Sequence, residues 1–170
     1  MTRFLIAQLL EQLDAGFDGS AEHSLLGNLR QIDDAGWQWK PPGGDRSIAG
    51  VIWHAGSAKY LWHSHAFGDG SVTWEHPLTA PSHARTIEGA LPWIREAHRR
   101  FVEAVASLSD DDLPAMRRVH WGAQYPASFV INSIMQHDLF HAGEINHMRS
   151  LMQGNDRWGY FTEPPPSSAG

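Results

Sequence analysis

Residues 136–144 read Gln-His-Asp-Leu-Phe-His-Ala-Gly-Glu, so two histidines stand four apart and a glutamate follows three further on. On a helix, side chains at i and i+4 are neighbours, and two imidazoles so placed can reach one point. A helix uses this spacing to supply two nitrogens to one metal ion. With about 100° per residue and His137 as origin, His141 falls at about +40°, Glu144 at about −20° and Met148 at about +20°. Ile134 and Ile145 flank the same face. His137, His141 and Glu144 therefore belong to the stripe turned towards a core, with Asp138 and His147 outside its centre.

A cation needs more than two ligands, so a partner is expected on another inward face. The stretch from Ile48 to Phe67 carries an apolar stripe of Ile48, Val51, Ala55, Ala58, Leu61 and Trp62, with His54 on its flank. A neutral imidazole among apolar neighbours is costly without a partner. His54, His137 and His141 are thus the candidate metal ligands. His65 lies further along the same side, and His63 is expected to point away, with Lys59. Glu144 has three readings: a fourth ligand, an acceptor for a histidine N–H, or a general base. The plainer alternative is a helix-surface residue paired with Arg149 or another cation. The histidines at 23, 76, 83, 98 and 120 are read as surface or loop residues, His120 being singled out because it stands beside Trp121 before the last helix.

Four helices must position these groups. The first is expected from Thr2 to Asp14, with a continuation over Ser20 to Asp33 that has a stripe of Leu25, Leu26, Leu29 and Ile32. Pro and Gly break the chain at 36–46. The second helix runs from Ile48 to Phe67 with Ser47 as its N-cap, and stops at Gly68-Asp69-Gly70. An irregular connection follows, long enough to suggest a crossover or a role at a site. The third helix covers Ile87 to Leu108, with Pro92 expected to kink it or delay its start. Ser109 to Asp112 resembles a capping box. The fourth spans Ala127 to Gln153, with Pro126 in its first turn and Gly154 as its C-terminal cap. No stretch alternates with period two. The expected fold is all-α: a four-helix bundle with long crossover connections over residues 1–155, then a poorly ordered tail over 156–170.

Composition narrows the function. The chain has 170 residues, a formal net charge of −6 and no cysteine. Disulfides and thiolate metal sites are excluded, so any transition metal must be held by nitrogen and oxygen. An acidic chain without a basic surplus is not expected to bind nucleic acid. No apolar run is long enough to span a membrane, and the N-terminal stretch reads as an amphipathic helix rather than a signal peptide. A cytoplasmic location is the expectation. Eight tryptophans are unusual in such a chain. Trp37, Trp39, Trp53, Trp74 and Trp121 lie in or near loops and are candidates to line a substrate mouth.

Taken together, the segments "SIAGVIWHAGSAKYLW" (47–62) and "SIMQHDLFHAGEINHMRSLM" (133–152) resemble the DinB-like superfamily of four-helix-bundle metalloenzymes. Its members pair one histidine of the second helix with an HxxxH pair on the last, often followed by Gly and then Gln or Glu. Those positions here are His54, His137 and His141, then Gly143 and Glu144. The resemblance runs from about residue 2 to 155 and also takes in "HSLLGNLRQI", the turn Trp39-Lys40-Pro41 and "AHRRFVEAVASLSDDDL". It implies a divalent transition metal, zinc or nickel foremost and iron in relatives. It also implies chemistry that uses a low-molecular-weight thiol, as in transferase and isomerase branches, on a small-molecule substrate, and it admits a homodimer.

Three neutral imidazoles would leave a divalent cation its full charge and an open position. Such a cation lowers the pKa of a water from about 15.7 towards 7, or activates a thiol. The leading expectation is therefore a metal-dependent enzyme with thiol-dependent S-transferase-like activity and Glu144 as its catalytic carboxylate. A metal-dependent hydrolase on the same site is the alternative, and a non-catalytic protein that holds a metal or small ligand is the third reading.

Overall fold

The computed structural model describes residues 3–20 and 23–157. Among these are five α-helices: α1 (Phe4–Asp18), the short α2 (Asp34–Gln38), α3 (Ile48–Phe67), α4 (Ile87–Ala106) and α5 (Ala127–Gln153). A two-stranded antiparallel hairpin of β1 (Met116–Arg118) and β2 (Gln124–Pro126) precedes α5, with Arg117 opposite Tyr125. The four long helices form the expected bundle, and the chain is mainly helical.

Local chemistry sets the helix ends. Ser47 caps α3 by accepting the Gly50 N–H, and Thr86 caps α4 by accepting that of Gly89. α4 opens at Ile87 and runs through Pro92, which early in the helix removes only one intrahelical donor. The first N–H groups of α5 are taken by the carbonyls of Ala115 and Leu113, and Gly154 closes it in the left-handed region at φ 69°. Between α4 and the hairpin, Asp112 accepts the Ser109 N–H, so the expected box opens a single 3₁₀ turn.

The helical continuation over Ser20 to Asp33 does not form. In the described part of that segment the chain folds back: the N–H groups of Leu25 and Leu26 bond to the carbonyls of Gly16 and Phe17 at the end of α1. One 3₁₀ turn, Gly27–Leu29, follows. Ser24 competes with helix formation by donating to the Ser20 carbonyl and accepting the Gly27 N–H. Leu25, Leu26 and Leu29 are still buried, so their spacing recorded burial rather than a helix. The hairpin also departs from expectation, because three-residue strands are too short to display alternation. Of the expected tail, residues 158–170 lie outside the described residues.

The core comes in two apolar clusters. One gathers Trp37, Ile48, Val51, Ile52, Trp93 and Ile94 with Ile145 and Met148 of α5. The other gathers Ile6, Leu13, Phe101, Val119 and Val130 with Ile131 and Ile134. Along α5 the two are separated by a polar layer: His137, Asp138, His141 and Glu144.

Candidate metal centre

His54 projects from the middle of α3, and His137 and His141 from successive turns of α5. Their rings meet: His137 Nε2 lies 3.1 Å from His54 Nε2 and 3.1 Å from His141 Nε2. One ligand nitrogen from each ring falls within 4.8 Å of the others. His141 is buried, whereas His54 and His137 stay partly exposed.

The donor set fits a metal ion. Two nitrogens held by one cation at about 2.0–2.1 Å each stand roughly 3 to 3.4 Å apart. A ring nitrogen offers either one in-plane proton or one lone pair, so His137 Nε2 cannot bond well to both neighbours. A cation at the common point satisfies all three. His137 Nδ1 is buried and has no protein partner. Burial, then the fields of His141, His54, Lys59 and Arg46, hold His137 far below its usual range, at about 3. Burial, followed by His141 and Arg46, also lowers His54, with Glu144 opposing. Both rings are therefore neutral at physiological pH and keep their lone pairs.

Glu144 sits on the far side of His141. Its Oε2 lies 2.6 Å from His141 Nδ1, and its Oε1 lies 3.7 Å from Arg46 Nη1. The carboxylate accepts the Nδ1–H and so leaves Nε2 as the lone-pair nitrogen facing the centre. Arg149, its suggested partner, is buried elsewhere and donates to the carbonyls of Asn28 and Arg30.

A charged pair lies behind the histidines. Lys59 of α3 and Asp138 of α5 are both fully buried, with Nζ 2.6 Å from Oδ2. Lys59 was expected on the outward side of its helix. α3, however, is covered by α4, α5 and the 68–86 connection, and it buries Ile52, Gly56, Ser57 and Tyr60 as well as all of the stripe but Trp62. A helix covered on several sides has no polar face to read. Burial raises the Asp138 carboxyl despite the field and hydrogen bond of Lys59.

His98 also departs from its expected surface position. It is buried, stacked on Phe17 with ring centroids 3.8 Å apart, and it meets Asp14 at 3.0 Å. Trp37 is no mouth residue: it is buried in the core, and its indole N–H donates to the Arg85 carbonyl. Trp53, Trp74 and Trp121 do remain exposed.

Fold and site together define a helical bundle with a three-histidine cluster that could hold a metal ion. The DinB superfamily matches residues 20–145, and the chain belongs to that superfamily. No curated protein matches the chain. Among the described residues, no helix is long and apolar enough to cross a membrane.

Proposed function

We propose that His54, His137 and His141 bind one divalent transition metal, zinc or nickel foremost, and that the protein is a metal-dependent enzyme. The observation that carries this reading is the convergence of three imidazoles, with His137 Nε2 3.1 Å from the Nε2 of both His54 and His141 and all three ligand nitrogens within 4.8 Å of one another. When bound, the cation would supply Lewis acidity to whichever thiol or water reaches its open position.

The protein's own groups do the rest. His54 and His137 present neutral donors, and the polypeptide around them excludes solvent from His141. Glu144 orients His141 through Oε2, and its Oε1, 3.7 Å from Arg46 Nη1, is the candidate proton acceptor for an incoming nucleophile. Membership of the superfamily favours a low-molecular-weight thiol as that nucleophile, in an S-transferase-like reaction on a small electrophile. Hydrolysis uses the same ligands with water as nucleophile.

Elemental analysis of protein purified without chelators tests the metal. Close to one equivalent per chain is expected. Less than about one tenth, with no uptake on titration with zinc or nickel, overturns the reading. Turnover of electrophilic and ester substrates with and without added thiol then separates transferase from hydrolase. An absolute thiol requirement supports the first, and thiol-independent hydrolysis the second.

A further inference from the structure

A continuous run of aromatic rings begins at the candidate centre. The Trp74 indole lies parallel to the His54 ring, 7° apart in plane, with centroids separated by 5.8 Å. The same indole meets His120 at 6.0 Å and 88°, and His120 meets Trp121 at 4.7 Å and 89°. Trp62 of α3 packs against Trp121 at 5.3 Å, and Trp53 meets Trp74 at 6.4 Å. The wall is also open. Trp53, Trp74 and Trp121 are 38%, 36% and 53% exposed. Exposing large apolar rings forgoes burial worth about 25 cal/mol per Å², so three together in one patch beside a polar centre need an occupant.

The wall is rigidly built. Trp74 belongs to a turn held by the buried Thr79 hydroxyl, 2.8 Å from the carbonyls of Thr73 and His76. That turn is tied to α3 through Ser57, whose hydroxyl lies 2.6 Å from the Thr79 carbonyl, and to α4 through the Trp93 indole N–H on the Leu78 carbonyl. Trp121 stands at the hairpin tip, closed by the Gly122 N–H on the Val119 carbonyl, with Gly122 at φ 91°. Rings fixed in advance lose little freedom when a ligand arrives.

We propose that the Trp74–His120–Trp121 wall is the substrate-binding face of the candidate centre and takes a small molecule carrying an uncharged aromatic ring. This rests on the reading of His54 as a metal ligand. The perpendicular neighbours form corners that offer one face and one edge, the arrangement a planar ring prefers. The named wall residues carry no formal charge apart from His120. Burial, and then His65, lower that imidazole from its usual value, so it does not serve as a fixed cation for an anionic ligand. A cationic ligand, which tryptophan faces would otherwise favour, is disfavoured by a divalent ion on neutral ligands and by Arg46 beside it. His120 is the wall's polar member, and its buried Nδ1 lacks a protein partner.

Calorimetric titration of the full chain, metal-loaded and metal-stripped, with 2-naphthol, cyclohexanol and tetramethylammonium tests this. 2-Naphthol should bind the loaded protein at least about tenfold more tightly than the other two. Trp121→Ala and Trp74→Ala should each weaken it about tenfold, as expected for one lost stacking partner, while Trp121→Phe stays within about threefold. Trp121 is exposed on a turn, so its variants should keep the parent helicity and metal content. Parent-like affinity in both alanine variants overturns the proposal, as does cyclohexanol or tetramethylammonium matching 2-naphthol. Metal uptake without ring binding removes the wall alone. Tryptophan-dependent ring binding to a chain that takes up no metal removes the metal reading and leaves the wall.

Discussion

His141 Nδ1 stands 2.6 Å from Glu144 Oε2, and the Nε2 of the same ring faces His137. An imidazole whose outer nitrogen is held by a carboxylate is oriented and made a better donor, and loss of such a partner commonly costs about 10- to 100-fold in metal affinity. Glu144→Ala is expected to weaken zinc binding by that factor in a competition titration with a chromophoric chelator. Glu144→Gln keeps an acceptor oxygen and should lose less. If both variants bind zinc like the parent, the carboxylate does not position His141. His98 supports a separate prediction. Its contact with exposed Asp14 favours the charged ring, but burial, and then Lys59, outweigh it and bring it down to about 4 from 6.5. Solvent screens the Asp14 side of that balance. Between those values the unfolded chain binds the extra proton, so stability is complete above about pH 6.5 and falls as pH drops towards 4. Urea unfolding at pH 7.5 and 5 should therefore show His98→Gln losing roughly 2 kcal/mol less than the parent.

At the scale of elements, Lys59 and Asp138 join α3 to α5, the two helices that carry the three histidines. Removing one partner strands a buried charge, whereas replacing both with apolar groups is often neutral. Lys59→Met should cost about 3–5 kcal/mol, and Lys59→Met with Asp138→Leu should recover most of it, measured by chemical denaturation. Equal losses in the single and double variants would mean that the pair is not coupled. Gly56 governs the α3–α4 contact. A Cβ there would lie 2.5 Å from Trp93 Cη2, and that indole is pinned by its bond to the Leu78 carbonyl. Gly56→Ala is expected to destabilise by about 1–3 kcal/mol, read as a lower melting temperature. The sequence showed the four long helices and the inward placement of His137 and His141 on α5, but not the short α2, and it read a helix over Ser20 to Asp33 that does not form. It did not show Lys59 as buried, because a stripe argument assumes one polar side and α3 has none.

For the molecule as a whole, the polar layer divides the core into two apolar clusters, so the candidate site interrupts the packing that holds the bundle together. A bound cation would offset that interruption. Added zinc or nickel at about 100 times its dissociation constant should stabilise the fold by about 2.7 kcal/mol, seen as a higher melting temperature. His54→Ala, His137→Ala and His141→Ala should each abolish that gain while leaving the helical circular dichroism signal intact. If a variant loses helicity at the same point as metal response, the histidines serve the fold and not a ligand.

Local information sufficed wherever one short-range rule acted alone. Ser47 marked the start of α3, Gly154 the end of α5, and the i, i+4 spacing placed His137 and His141 side by side, because caps and helical periodicity depend only on near neighbours. The position of His54 against that pair required α3 to cross α5 at one particular height, and that is a property of packing. So too is the aromatic wall, whose rings come from α3, the 68–86 connection and the hairpin tip. The burial of His98 and of the Lys59–Asp138 pair was decided by neighbours tens of residues away, which no periodicity along a single helix records.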